Sequence, residues 1–232
     1  SQGERAIWVA SYGGLTRLDS AGRVQKILNK KSIPALSDVR VMTVRGDNNI
    51  LWFGTRNGGL GRLNVDNMQI DYFLHDAQNP NSLSFNGVTS IFPDKAGNVW
   101  VGTFGGGLNY LAAGSREFIH YRFDENKPRS LNNDRVLVVD QLFDGTILVG
   151  TVSGINILNP ASLDFDHIEH QPKNLDSLSA NMAWTFYQDT KAQLWVGTQG
   201  GGLNKWMPQD FSILKNKFTR YGSFSGLPSS HI

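Results

Sequence analysis

One five-residue pattern recurs five times along the chain: an apolar residue, a tryptophan or leucine, a second apolar residue, and then glycine and threonine, with alanine and serine closing the first copy. The copies occupy residues 7–11, 51–55, 99–103, 147–151 and 194–198. Their second residues, at positions 8, 52, 100, 148 and 195, are separated by 44, 48, 48 and 47 residues. This period is typical of propeller blades and is longer than that of ankyrin or leucine-rich repeats. The sequence therefore predicts a repeat protein.

The repeat that contains residues 83–122 shows how one unit is built. Runs rich in β-branched and aromatic residues alternate with turn formers and glycines, which predicts short strands joined by hairpins. These runs are residues 88–92, 99–103, 108–111 and 117–122. Equivalent first strands are predicted at 39–44, 136–140 and 183–187, and fourth strands near 70–73, 165–168 and 218–221. Because no run has helical periodicity, we expect an all-β protein, a β-propeller built of four-stranded antiparallel blades.

The repeats predict a single propeller region over residues 1–232, with about five blades present. The expected blades are a partial one at 1–30, complete ones at 36–75, 85–122, 134–170 and 181–221, and the start of another at 226–232. Seven blades would need about 330 residues at this period. The chain is therefore expected to be part of a larger propeller of the seven-bladed type. It would be either an open arc, which we favour, or a five-bladed ring closed by the last segment.

Composition excludes several kinds of partner. The net charge of +2 comes from 22 basic and 20 acidic residues, so no overall field favours nucleic acid or a membrane surface. Lys26, Lys30 and Lys31 are expected in a solvated loop. Cysteine is absent, which removes disulfides and thiolate chemistry. No apolar run reaches the roughly 18 to 20 residues needed to cross a bilayer, so we expect membrane attachment only through flanking segments.

Two stretches of the chain resemble a known family. Residues 194–203 (LWVGTQGGGL) and 79–86 (NPNSLSFN) are similar to the two signature stretches of two-component regulator propeller repeats, and the second recurs at 129–133 and 176–181. In that family such repeats form the extracytoplasmic sensor region of bacterial membrane receptors with a histidine kinase or diguanylate cyclase output. The resemblance implies a periplasmic sensor without catalysis, cofactor or metal. Its ligand would be a small molecule, a saccharide or a protein, and a homodimer is compatible with it.

The repeated residues themselves have structural explanations. We expect the anchor tryptophans, and Leu148 in their place, to fill the wedge between neighbouring blades. The glycine of the pattern is expected to allow close packing. His75, His120 and His170 follow the repeat at spacings of 45 and 50; one per blade near the outer rim would not form a shared metal site. Recurrent turn acids are expected to cap their own turns rather than act in catalysis: Asp47, Asp94, Asp144 and Asp189.

One variable position in an otherwise constant turn is the best candidate for ligand specificity. It follows the threonine or serine that ends each second strand, so its side chains should project on one face of the propeller. We call these the variable turn residues: Tyr12, Arg56, Phe104, Val152 and Gln199. The alternative is a set of surface turns without function. A ligand site is favoured by the concave mouth that a propeller offers.

Two other classes of function stay open. The first is a propeller enzyme of the lyase or glycosidase type that acts on a glycan or macrocycle, since residues 51–53 resemble the Leu-Trp-Phe strands of streptogramin lyases. The expected rim position of the histidines argues against that chemistry. The second is a protein-interaction scaffold that senses nothing.

Overall fold

The structure is a computed structural model that describes residues 7–31, 40–47, 49–206 and 217–230. Within them, nineteen strands form five antiparallel sheets, and within each sheet every strand pairs with its neighbours along the chain. One turn of 3-10 helix, Ser223–Ser225, follows the last strand. No helix of this described part is long and apolar enough to cross a membrane. The all-β prediction is confirmed.

The first sheet has three strands: β1 (Ile7–Ser11), β2 (Gly14–Leu18) and β3 (Val24–Leu28). The second comprises β4 (Val41–Asp47), β5 (Ile50–Thr55), β6 (Leu60–Asn64) and β7 (Ile70–Phe73). The third comprises β8 (Val88–Pro93), β9 (Val99–Thr103), β10 (Leu108–Leu111) and β11 (Phe118–Tyr121). The fourth comprises β12 (Val136–Gln141), β13 (Ile147–Thr151), β14 (Gly154–Leu158) and β15 (Phe165–Ile168). The fifth comprises β16 (Ala183–Gln188), β17 (Leu194–Thr198), β18 (Gly202–Trp206) and β19 (Phe218–Tyr221).

All five anchor patterns form strands: four are second strands of four-stranded sheets, as predicted, and the first forms β1 of the three-stranded sheet. The predicted first strand at 39–44 differs in its bounds, because β4 runs from Val41 to Asp47, and Val39 lies outside the described residues. The chain divides into two compact units. The first comprises residues 1–104 and 109–120, and the second comprises 105–108 and 121–232. A single region over 1–232, an open arc or ring, and a further blade at 226–232 stay predictions.

In the first unit, apolar side chains from neighbouring sheets form continuous clusters. One cluster joins the first and second sheets around Leu15, Leu28 and Phe53. Another joins the second and third sheets, where Trp52 packs with Val99 and other buried residues of the third sheet. Full burial of one large apolar side chain stabilises by about 1.5–3 kcal/mol. These contacts confirm that Trp52 fills the space between two sheets.

In the second unit, one cluster joins the fourth and fifth sheets. Leu148 lies in it, fully buried, together with Phe186 and Val196. A leucine thus takes the anchor position here, as expected. Gly150 next to it permits the close approach, because a Cβ on this residue would lie 2.8 Å from the Ala183 carbonyl oxygen of the next sheet. The packing role predicted for this glycine is confirmed.

The second signature stretch forms the loop that leads from one sheet to the next. Its leucine is fully buried in all three copies, Leu83, Leu131 and Leu178. Leu83 and Leu178 belong to the apolar clusters between neighbouring sheets. The residue after the leucine donates its N–H to a fully buried asparagine of a third strand. The three pairs are Ser84 with Asn109 (2.9 Å), Asn132 with Asn156 (2.8 Å), and Ser179 with Asn204 (2.9 Å). The stretch is therefore a structural element that fastens each loop to a sheet.

A backbone hydrogen bond closes the end of this loop. The N–H of a glycine at the start of a third strand donates to a carbonyl further along the chain, and for two of the three pairs the acceptor lies just before the next first strand. The pairs are Gly59 with Asn86 (3.0 Å), Gly107 with Asp134 (2.9 Å), and Gly202 with Ser230 (2.8 Å). Ser230 thus occupies the place that Asn86 and Asp134 take in earlier repeats.

Candidate functional site

The variable turn residues follow a hydroxyl side chain that holds the turn. Thr55 Oγ1 donates to the carbonyl of Gly59 (3.1 Å) and accepts the N–H of Gly58 (2.7 Å). Thr198 donates in the same way to Gly202 (3.0 Å), and Ser11 does so to Gly14 (3.2 Å). The constant threonine or serine is therefore needed for the backbone geometry of the turn. That leaves the following residue free of this constraint.

The backbone fixes four variable turn residues at equivalent places. Each donates its N–H to the carbonyl of a residue just before the first strand of its own sheet. The pairs are Arg56 with Arg40 (3.0 Å), Phe104 with Gly87 (2.9 Å), Val152 with Arg135 (3.3 Å), and Gln199 with Met182 (3.0 Å). Equivalent hydrogen bonds show that these side chains start from the same place in four sheets.

The variable turn side chains are at least partly accessible. Tyr12 is 63% exposed and Phe104 is 46% exposed. Arg56 and Gln199 are exposed, whereas Val152 is partly buried. Within the first unit the set is aromatic and basic; within the second it is apolar and amide. The backbone hydrogen bonds therefore show equivalent placement in the four four-stranded sheets. The placement of Tyr12, a common face for all five residues, and ligand binding stay predictions.

A second set of residues, the bulged residues of the first strands, lies close to the variable turn residues and was not predicted from the sequence. Near its beginning, the first strand of each four-stranded sheet has a β-bulge, which turns one residue out of the regular pairing. The bulged residues lie between the pairs 41/43, 88/90, 136/138 and 183/185: Met42, Thr89, Leu137 and Trp184. β-Bulges commonly re-aim a side chain next to a functional site. In all four sheets the bulge lies opposite the end of the second strand, which is where the variable turn begins.

Among the bulged residues, Trp184 has an exposed side chain that is held in place by a hydrogen bond. It is 45% exposed, and its indole N–H donates to Gln199 Oε1 at 3.1 Å. The amide therefore fixes the orientation of an aromatic ring that solvent can reach. A fixed, accessible ring with a polar edge suits a planar or ring-shaped ligand. Trp184 and Gln199 form the best-defined pair of this candidate site.

The histidines serve the loops that join the sheets. His75 Nδ1 donates to the Leu83 carbonyl (2.9 Å), whereas His120 Nε2 donates to the Ser82 carbonyl (2.8 Å). His170 repeats the first arrangement with Leu178 (2.7 Å), and His167 repeats the second with Ser130 (2.8 Å). His120 lies within a fourth strand, whereas His75 and His170 lie just after one. Among the described residues, no three His, Asp or Glu side chains are grouped so as to hold a metal ion.

The turn acids cap their own turns. Asp94 Oδ1 accepts the N–H groups of Ala96 and Asn98, both at 2.9 Å, and Asp144 Oδ1 accepts that of Thr146 at 3.0 Å. Asp189 behaves like Asp94, and its second oxygen accepts the Trp195 indole N–H, which lowers the pKa of this carboxyl. The predicted capping role is confirmed for these three residues. The Asp47 side chain lies outside the described part.

The repeated four-stranded sheets define a β-propeller, and solved propellers have the same fold. PorZ, a surface component of the type-IX secretion system of Porphyromonas gingivalis, is 17% identical with a TM-score of 0.73 over 98% of this chain and 34% of its own. Virginiamycin B lyase from Staphylococcus aureus is 13% identical with a TM-score of 0.67 over 95% of this chain and 67% of its own. At these identities the likeness shows the fold alone.

A more specific relationship comes from the repeat itself. Residues 82–105 match the family described as two component regulator propeller. The extracellular domain of BT3049 from B. thetaiotaomicron, described as a hybrid two-component system, is 29% identical with a TM-score of 0.70. The alignment covers 88% of this chain and 25% of that chain, so this chain spans about a quarter of its length. No curated protein sequence matches. The resemblance to two-component regulator propeller repeats is confirmed.

Proposed function

We propose that this chain is a non-catalytic, ligand-sensing part of the extracytoplasmic region of a bacterial membrane-bound signalling receptor, of the two-component or cyclic-di-GMP type. The match of residues 82–105 to the regulator propeller family and the 29% identity with the extracellular domain of BT3049 support this class. The acids and histidines whose bonds are described above are engaged in turns and loops, which argues against a hydrolase or lyase.

One observation carries the ligand-sensing part of the proposal. Four turns have the same backbone hydrogen bond, yet their side chains are Arg56, Phe104, Val152 and Gln199. Packing accounts for the constant residues of the pattern but not for this variation. A surface that keeps its backbone and changes its side chains is suited to specific recognition. We place the ligand contact at the variable turn residues, with Trp184 beside Gln199.

A thermal-shift screen of the protein against saccharides and metabolites tests this site. A ligand at one hundred times its Kd stabilises the folded protein by about 2.7 kcal/mol. We expect a hit to lose its effect in the Trp184→Ala and Gln199→Ala variants. Thr190→Ala is the matched control, because Thr190 is exposed in the hairpin at the other end of the fifth sheet. The control should respond like the unchanged protein.

Other outcomes would favour the other classes. A hit that is unaffected by both site variants would place the ligand elsewhere on the chain. Chemical conversion of a hit would indicate a lyase or glycosidase. Binding of a defined partner protein without any small-molecule response would favour a scaffold. The receptor assignment has its own test: the complete gene product should contain a membrane helix and a kinase or cyclase module.

A further inference from the structure

A pocket of about 190 Å³ opens between the fourth and fifth sheets. It lies at the C-terminal ends of β12 and β16. Val152 and Gln199 instead donate their N–H groups to Arg135 and Met182, which lie just before the N-terminal ends of these strands. Its lining includes Asp140, Leu142, Phe143, Phe186, Gln188 and Leu194. All of these residues belong to the second unit. The pocket is therefore separate from the variable turn residues.

The pocket coincides with a departure from the repeat. In three of the four-stranded sheets the anchor is a tryptophan, paired across the first two strands with Arg45, Phe92 or Tyr187. In the fourth sheet the anchor is Leu148, and its partner is Asp140. Directly paired residues share a face of the sheet, and Leu148 packs toward the fifth sheet. The Asp140 carboxyl group, which lines the pocket, therefore lies on the same face of the fourth sheet as the buried Leu148.

The hairpin between β12 and β13 departs from the repeat as well. Leu142 donates its N–H to the Thr146 carbonyl (2.9 Å), which is the bond that Asp94 and Asp189 make in their turns. Leu142 thus takes the place of the turn aspartate, and its side chain is buried at 4% exposure. The next residue, Phe143, is 70% exposed. Its N–H donates to Gln188 Oε1 at 2.7 Å, which ties the hairpin to the fifth sheet.

These groups provide three kinds of contact within one small space. The floor is apolar, since Leu142, Phe186 and Leu194 are at most 7% exposed. Asp140 supplies a partly buried carboxylate, one oxygen of which accepts the Gln141 N–H at 2.8 Å. Phe143 supplies an accessible ring at the edge. The volume is below the roughly 300–1,000 Å³ of pockets for drug-sized ligands, so it suits a single ring.

We propose that this pocket binds one neutral saccharide ring. A sugar ring has an apolar face that can stack on Phe143 and hydroxyl groups that can donate to the Asp140 carboxylate. Hydrogen bonds from hydroxyls to an ionised carboxylate are stronger than those between neutral groups. The same carboxylate repels an acidic sugar. Gln188 holds Phe143 in position and so acts as a positioning residue. This site does not depend on the proposed site at the variable turn residues.

Saturation-transfer NMR and calorimetry with five sugars test the proposal: glucose, galactose, mannose, N-acetylglucosamine and, as the acidic counterpart, glucuronate. We expect at least one neutral sugar to bind and glucuronate to bind at least tenfold more weakly than glucose. Asp140→Asn and Phe143→Ala should each weaken binding at least tenfold. Two matched controls should bind normally: Asp144→Asn in the same hairpin, and Phe224→Ala at an 85% exposed phenylalanine.

Several results would overturn the proposal. They are no response to any neutral sugar, glucuronate binding as well as glucose, or unchanged affinity in Asp140→Asn and Phe143→Ala. Binding of phenol without binding of any sugar would also overturn it, because the pocket would then be merely apolar. Loss of sugar binding in Trp184→Ala, with Asp140→Asn unaffected, would place the sugar at the variable turn residues instead.

Discussion

Replacing Asn109 with alanine tests whether the second signature stretch stabilises the fold through its buried asparagine. Asn109 is fully buried, its Oδ1 accepts the Ser84 N–H at 2.9 Å, and its Nδ2 donates to the Val101 carbonyl at 3.3 Å. A buried N–H left without a partner costs about 1–3 kcal/mol, and the second lost hydrogen bond adds about 1 kcal/mol. We therefore expect Asn109→Ala to lower the free energy of unfolding by about 2–4 kcal/mol.

Urea and thermal unfolding followed by tryptophan fluorescence measure this loss. For a chain of this size, 1 kcal/mol lowers Tm by about 2–4 °C, so we expect roughly 4–16 °C. Asn81→Ala is the matched control, because Asn81 is exposed in the same loop; it should change stability by less than about 0.5 kcal/mol. If Asn109→Ala were no more destabilising than the control, the loop would be held by Leu83 burial alone, and the reasoning would be refuted.

Two further predictions concern packing and pH. Gly150→Ala would place a Cβ 2.6 Å from Val138 Cγ1 and 2.8 Å from the Ala183 carbonyl oxygen, so we expect a loss of about 1–3 kcal/mol in urea unfolding. Gly13→Ala, where the nearest atom is 3.7 Å away, should cost much less, and equal losses would contradict the packing argument. Burial raises the pKa of Tyr72 from 10.0 to about 12, so the unfolded chain ionises first and stability should fall as the pH rises from about 10 to about 12. Tyr72→Phe should abolish this fall. At pH 7 the substitution should cost little stability, because the buried hydroxyl has no hydrogen-bond partner among the described residues. A marked loss of stability at pH 7 would contradict this.

The strands and turns could be predicted because their signals are local. Alternation of apolar residues and the glycine-rich turns place β9 and β17 at their exact residues, and the Asp94 carboxylate needs only its own turn to find partners. Spacing alone does not show that two residues make equivalent contacts. His75 and His120 are 45 residues apart, close to one period, yet they bond to opposite sides of the Ser82–Leu83 link.

The candidate sites were harder to predict, because they depend on pairing between strands. Trp184 stands in a run that resembles every other first strand, and only the register of β16 against β17 shows that it is bulged. The pocket beside Asp140 likewise requires knowing that Asp140 faces Leu148 and that Phe143 is tied to Gln188. The leucine at the fourth anchor was visible in the sequence, but its pairing with Asp140 was not.

The bonds that close each loop have a consequence for how such chains grow. The N–H groups of Gly59 and Gly107 donate to the carbonyls of Asn86 and Asp134, which lie just before the first strand of the following sheet. A segment that contained one sheet alone would lack the carbonyl groups that accept these hydrogen bonds. A duplication that keeps these hydrogen bonds would have to copy a sheet together with the residues just before the next sheet. The duplicated segment would then not coincide with the boundaries of one sheet.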